Sequence, residues 1–228
     1  MKGIFVTGTG TDIGKTFVSC GILRWLRDRG VPVAPRKPVI SGFDPNDLAA
    51  SDTGQLLAAA GLGPDAVDRV SPFRFRDPLS PDMAARREGR RLRLQDILQA
   101  LEASREPGAF HLIEGVGGLR VPVEDPASGL ATVREWIRSM DLPVVLVAGT
   151  YLGTLRHTFP AVDALEAAGL SPSWLVLSQS DTEPVPPQQT QQTLDRWLPR
   201  VPSTVVPRLA PSQRRGFRLA LPPHLAPL

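Results

Sequence analysis

The chain has 228 residues, is 42% hydrophobic, and carries a formal net charge of +3 from 26 basic and 23 acidic residues. That length suits one α/β domain with a real core, and so small an imbalance of charge demands no nucleic-acid partner. No apolar run approaches a membrane span and no long apolar leader follows Lys2, so a cytoplasmic protein without a signal peptide or membrane segment is expected.

Cys20 is the sole cysteine, so no intramolecular disulfide forms; it reads as a small core residue in a reducing compartment. Only three basic residues are lysines: Lys2, Lys15 and Lys37. Where arginine supplies nearly all positive charge, a remaining lysine is a candidate for a task that needs a compact ammonium.

Taken in order, Ile4-Phe5-Val6 reads as a strand and Phe17 to Leu26 as an amphipathic helix. Between them stands G-T-G-T-D-I-G-K-T, Gly8 to Thr16. A glycine-rich turn between strand and helix lets backbone N–H groups converge on a phosphate, and the helix aims its positive end at the same anion. Lys15 would add charge at the β- and γ-phosphates and Thr16 a hydroxyl for Mg²⁺. The match to G-x-x-x-x-G-K-[ST] is imperfect, because Thr9 holds the first-glycine position.

Gly30 reads as the helix C-cap and Val31 to Ala34 as a second strand. The loop after it contains Lys37 and Ser41, and in a parallel sheet it opens on the same side as the P-loop. Ser51-Asp52-Thr53 begins a helix to about Ala60, with Ser51 or Asp52 as its N-cap. Pro64 to Pro72 is irregular or a short strand, and Asp77 to Pro81 is a turn before a helix through Arg86. Five arginines between Arg86 and Arg93 read as a solvated face without nucleic-acid aromatics. A helix follows over Leu94 to Ala103.

Phe110 to Glu114 is a buried-type strand ending in a carboxylate, followed by Gly115, Gly117 and Gly118. An acid delivered beside a P-loop is suited to Mg²⁺ or its water, and the glycines let backbone approach a ligand. His111 alternates with core positions and reads as structural. Helices are expected over Leu130–Met140, Leu155–Ala168 and Gln188–Leu198, with strands at Val144–Ala148, Trp174–Leu177 and Thr204–Val206. The tail, about residues 211–228, is proline-broken. Alternating strands and helices imply a single P-loop α/β domain with a mostly parallel sheet covered on both faces.

In combination these motifs resemble the dethiobiotin synthetases: V-T-G-T-G-T-D-I-G-K-T (Val6 to Thr16), K-P-V-I-S-G (Lys37 to Gly42), Ser51-Asp52, Ser80-Pro81, E-G-V-G-G (Glu114 to Gly118) and L-G-T-L-R-H (Leu152 to His157). The resemblance implies a homodimer that uses ATP, Mg²⁺ and CO2 to close a cyclic urea on 7,8-diaminononanoate. It implies Lys37, Lys15, Thr11 and Ser41 at the reacting groups. Nucleotide would meet Asp12, Ile13, Gly14, Lys15, Thr16, Phe17, Glu114, Ser178, Gln179, Pro207 and Leu209. Mg²⁺ would meet Thr16, Asp52 and Glu114, which replaces the capping-only reading of Asp52. The diamine would meet Thr11, Lys37, Ser41, Gly117 and Gly118. Its carboxylate tail would reach Gly149, Leu152, Gly153 and Arg156 at a helix start of the partner subunit.

Two departures stand out. Ser178-Gln179 occupies the place where the family has an adenine-reading asparagine, and Asn46 is the chain's only asparagine. Gln179 or backbone groups could substitute, or several nucleoside triphosphates could be accepted. Tyr151 and Arg156 stand where the family often has Lys and Asn. Rival readings are a ParA/MinD-like positioning ATPase, which would need a lysine at the position of Gly10; a regulatory GTPase, which would need an Asn-Lys-x-Asp reader; and a non-catalytic P-loop paralogue.

Overall fold

The structure, a computed structural model, describes residues 1–227. Eight strands run along the chain: β1 (Gly3–Gly8), β2 (Val33–Arg36), β3 (Val39–Ser41), β4 (Phe73–Phe75), β5 (Phe110–Glu114), β6 (Val144–Gly149), β7 (Pro172–Ser178) and β8 (Ser203–Val206). The helices are α1 (Lys15–Arg27), α2 (Asp52–Ala60), α3 (Val67–Val70), α4 (Pro81–Arg87), α5 (Leu94–Ala103), α6 (Val133–Met140), α7 (Thr154–Glu166), α8 (Pro187–Trp197) and α9 (Pro211–Arg214).

Six strands form one sheet in the order β2-β5-β1-β6-β7-β8, and every pairing in it is parallel. β1, β5 and β6 are buried along their whole length, as central parallel strands covered on both faces must be. Their side chains divide between two cores. Phe5, Ile113 and Leu146 pack with Trp136 on one face, where Trp136 meets Phe5 edge-on at 5.1 Å. Ile4, Val6, Leu112 and Val145 pack against α1 on the other. Because all six strands point the same way, the turns after β1, β2, β5, β7 and β8 open along one edge, and the strand order reverses about β1.

The structure differs from the expected elements in several places. β2 covers Val33–Arg36 rather than Val31–Ala34. It is an edge strand, which tolerates Pro35. The Arg36 guanidinium is buried because Ser104, Glu106 and the Pro35 carbonyl accept its hydrogen bonds.

The 64–72 segment is helical at α3, and β3 pairs with β4 in a separate two-stranded parallel sheet. Three-residue strands carry too little periodicity to be seen in sequence. α1 is capped by Asp28, two residues before Gly30, which turns the chain with φ 71°. The proline-broken tail packs on the domain: Leu219, Leu221 and Leu225 are buried in the α1-side core. Its final residue, Leu228, lies outside the described residues.

α6 begins at Val133, not Leu130, which is 85% exposed. Its start is fixed by Thr132, whose N–H and hydroxyl both donate to Glu135 Oε2, at 2.9 and 2.5 Å, while Arg134 holds Oε1. Burial pushes the Glu135 carboxyl up, but the hydrogen bonds from Thr132 and Arg134 outweigh it and bring it down to about 2. A depressed carboxylate contributes stability above its unfolded value near 4.5, lost as pH falls toward 2. Glu135→Gln is therefore expected to lower the melting temperature at pH 7 and to match the parent near pH 2, as thermal melts across that range will show.

His111 is structural, as expected: its Nε2 accepts the Glu106 N–H at 3.1 Å, and burial holds the ring below its ordinary pKa, with Arg36 adding to the effect. Among the described residues no helix is long and apolar enough to cross a membrane.

Candidate active site

The turn after β1 has a backbone shape that few residues tolerate. A Cβ on Gly8 would lie 2.5 Å from the Ile13 side chain. Gly14 has φ 97°, and a Cβ there would strike the Ser178 hydroxyl at 2.4 Å. Asp12 also takes a left-handed conformation, φ 55°, which its short polar side chain tolerates. Gly14 offers no side chain to cap α1, so the first N–H groups of that helix remain open to an anion.

Lys15 folds over this turn, its Nζ donating to the Gly10 carbonyl at 2.7 Å. Burial pushes the Lys15 ammonium down to about 8, partly offset by Glu114. Thr16 donates to Glu114 Oε1 at 2.7 Å. Glu114 ends β5 fully buried, and its register partner is Val6, two residues before the glycine-rich turn.

Lys37 completes the cluster. It leaves the end of β2, and its Nζ lies 2.6 Å from Glu114 Oε1 and 2.7 Å from Asp52 Oδ2. Burial alone would lower the Lys37 pKa; the two carboxylates outweigh it and hold the ammonium above its ordinary value. Asp52 is burdened by its own desolvation, yet Lys37 holds its carboxyl below the ordinary value. Ser51, not Asp52, caps α2, with its hydroxyl accepting the Gly54 N–H at 3.0 Å. That leaves the Asp52 carboxylate free to face the site.

These groups line a cavity of about 910 Å³. Of the expected site residues, Thr11, Asp12, Gly14, Lys15, Thr16 and Phe17 form its P-loop wall. Lys37, Ser41, Asp52 and Gly117 face them. Glu114 lies beneath, held by Thr16 and Lys37. Gly118 packs its backbone on the P-loop, where a Cβ would sit 3.4 Å from the Gly8 and Thr9 carbonyls.

A second cleft of about 420 Å³ opens across the P-loop. Ile13, Ser178, Gln179, Pro207 and Leu209 line it, and Asp12, Gly14 and Phe17 border both spaces. Gly149, Leu152, Gly153 and Arg156 line neither within one chain. Leu152 is 83% exposed, and α7 starts from Gly153 with its first N–H groups uncapped by a side chain.

Sequence reasoning missed the apolar wall of the larger cavity: Ile40, Leu79, Met83, Val116 and Val121. Nothing in a single sequence separates such a wall from ordinary core. It also missed Tyr151, Asp181, Arg208 and Arg214 at the second cleft.

The donor set fits a hard divalent cation. Glu114 Oε2 is buried without a hydrogen-bond partner among the described residues, an exception that calls for a ligand. Thr16, Asp52 and Glu114 offer only oxygen, as Mg²⁺ requires when phosphates and waters complete its shell. Among the described residues no group of three or more His, Cys, Asp or Glu side chains is arranged to hold a metal by itself.

Comparison with known proteins shows the family. A family model described as "AAA domain" matches residues 2–211. The ATP-dependent dethiobiotin synthetase BioD of Acidiphilium cryptum is 43% identical over 209 residues, covering 90% of this chain and 92% of that protein. The chain belongs to the dethiobiotin synthetase family. The Bacillus licheniformis member is 34% identical over 210 residues, covering 92% and 87% of the two chains. Among solved structures, a ParA family ATPase from Chlorobium tepidum matches with a TM-score of 0.53 at 12% identity, over 91% of this chain and 84% of that one. That likeness shows a shared P-loop α/β fold and nothing of the activity.

Proposed function

We propose that the chain, a single P-loop α/β domain, is an ATP- and Mg²⁺-dependent cyclo-ligase that converts 7,8-diaminononanoate and CO2 to dethiobiotin, with release of ADP and phosphate. One observation carries this reading: the Lys37 ammonium lines the same cavity as Lys15 and Thr16 of the P-loop, and Lys37 and Thr16 meet on the same Glu114 oxygen. A phosphate-binding turn alone would serve a switch. A second lysine facing it, with room for an aliphatic substrate against Leu79, Val116 and Val121, serves transfer to a bound acceptor.

One amine takes up CO2 and loses a proton, giving a carbamate. A carbamate oxygen attacks the γ-phosphorus as the bond to ADP breaks. The second amine then attacks the carbamoyl carbon, phosphate leaves, and the five-membered urea closes with loss of a second proton. Lys15 holds the phosphate oxygens as charge moves toward ADP. Lys37 holds the carbamate against the γ-phosphate, and a compact ammonium suits that crowded place better than a guanidinium fork. Thr11 and Ser41 orient the reacting groups; the Ser41 hydroxyl is buried with no partner of its own among the described residues. Thr16, Asp52 and Glu114 would hold Mg²⁺, which would supply charge neutralisation on the triphosphate.

The protein acts as a homodimer in this reading. Gly149, Leu152, Gly153 and Arg156 present the uncapped start of α7 to the carboxylate tail of the diamine in the partner's site. The ParA/MinD-like alternative is disfavoured by Gly10, which stands where that branch carries its extra lysine.

The test is ADP release by the purified protein with MgATP, diamine and bicarbonate, each omitted in turn. Release is expected only when all are present, with dethiobiotin formed in equal amount. Undiminished release without diamine would replace the synthase by a nucleotide-driven switch.

A further inference from the structure

The second cleft lies across the P-loop from Lys37, and Asp12, Gly14 and Phe17 border both spaces. A triphosphate cradled in the turn with its γ end toward Lys37 therefore leaves its nucleoside in this cleft. Gln179 is the cleft's one side-chain amide, and a free amide there would be a reader of the base edge.

It is not free. Its carboxamide oxygen accepts the Arg208 N–H at 3.0 Å, and its amide nitrogen donates to Glu183 Oε2 at 3.0 Å. The other Glu183 oxygen accepts from the Thr150 hydroxyl. That hydroxyl accepts the Ser180 N–H at 2.9 Å, while the Ser180 hydroxyl accepts the Thr150 N–H at 3.0 Å. Donor and acceptor at each end fix which way the Gln179 amide points. The network ties the turns after β6, β7 and β8 into one frame. The Arg208 guanidinium is engaged too, paired with Asp181.

We propose that Gln179, clamped by Glu183, is a positioning residue that holds the walls of the base cleft and does not read the base, so that the site takes purine and pyrimidine nucleoside triphosphates with little discrimination. The inference rests on the nucleotide-dependent reading above. A pocket built to hydrogen-bond a particular group rejects a ligand lacking it by about 10⁴-fold or more, whereas a pocket that selects by apolar contact and shape discriminates by only about 10–200-fold. A cleft whose one side-chain amide is already held at both its oxygen and its nitrogen by its own frame belongs to the second kind.

The experiment measures binding of the Mg²⁺ complexes of ATP, GTP, CTP and UTP to the full-length protein by calorimetry, without diamine. It then measures kcat and KM for each with diamine and bicarbonate. Affinities within about tenfold of one another are expected. Gln179→Ala should weaken all four by a common factor of about three to ten, raising the nucleotide KM while leaving kcat and the diamine KM alone. Gln179→Glu, which sets a carboxylate against Glu183, should weaken all four further by a common factor.

A wild-type preference for one base above about 100-fold that collapses in Gln179→Ala would overturn the proposal. So would a Gln179→Glu effect that depends on the base, since a carboxylate still accepts from the adenine or cytosine amine but donates nothing. Tight binding of all four nucleotides without dethiobiotin formation would sink the synthase reading and leave this one standing.

Discussion

Lys37→Gln is expected to reduce turnover by at least about 10²–10³-fold, the range for loss of one group that stabilises transition-state charge, while nucleotide still binds. The ammonium is within 2.7 Å of both Asp52 and Glu114, so the substitution has a second consequence. Glu114 is fully buried, and removing the charge beside it leaves a desolvated carboxylate without its counter-ion. Breaking a buried pair from one side costs about 3–5 kcal/mol. For a chain of this size each kcal/mol lowers the melting temperature by about 2–4 °C.

The nucleotide-free variant should therefore melt well below the parent. The Mg²⁺ nucleotide brings positive charge to the same carboxylates, so its stabilising shift should be larger in the variant than in the parent. Calorimetry, thermal melts with and without MgATP, and the ADP-release assay read the three effects separately. Unchanged turnover would remove Lys37 from the reaction. Lost turnover with lost nucleotide binding would make it part of the cradle instead.

The cradle is legible in sequence because its backbone geometry admits few residues. Gly8 and Gly14 stand where a Cβ would collide, and Lys15-Thr16 must open the helix that follows. Glu114 is legible for a related reason: an acid ending a mostly apolar strand and followed by three glycines in four positions is poorly explained as an ordinary turn. Leu94–Ala103 shows an amphipathic helix because its apolar spacing repeats over nearly three turns.

What escapes is whatever depends on contact across sequence distance. β3 and β4 are three residues each and pair only because the chain returns from α3. Arg36 looks like a loop residue until Ser104 and Glu106, 68 and 70 positions away, close around it. Gln179 reads as a free amide until Glu183 and Arg208 take both of its ends. The Lys37 loop is placed beside the P-loop by sheet order, which the alternation of strands and helices implies, but its ion pairs with Asp52 and Glu114 are not written in any motif.

The tail gives the second large effect. Phe217 stacks on Phe17 with ring centres 4.6 Å apart and planes 16° from parallel. Gly21 lies beneath that ring, where a Cβ would come within 2.6 Å of it, and the Leu219 N–H donates to the Gly21 carbonyl at 3.1 Å. Leu219, Leu221 and Leu225 then enter the core that holds Ile4, Val6 and Val18. The family model matches residues 2–211, short of this docking.

Burying a large apolar side chain stabilises by about 1.5–3 kcal/mol. The three buried leucines amount to roughly 5–9 kcal/mol, to which half-buried Phe217 adds, comparable with the roughly 5–15 kcal/mol that holds an ordinary domain together. Deletion of everything after Ala210 is therefore expected to leave a chain without a cooperative melting transition. Phe17 follows the Lys15-Thr16 pair by one position and borders both cavities, so the stack also fixes α1 beneath the phosphates. Phe217→Ala should keep the fold, lower the melting temperature by several degrees, and weaken ATP binding while leaving the diamine KM unchanged. A Phe217→Ala protein with unaltered melting and ATP affinity would mean that the stack holds neither α1 nor the cradle in place.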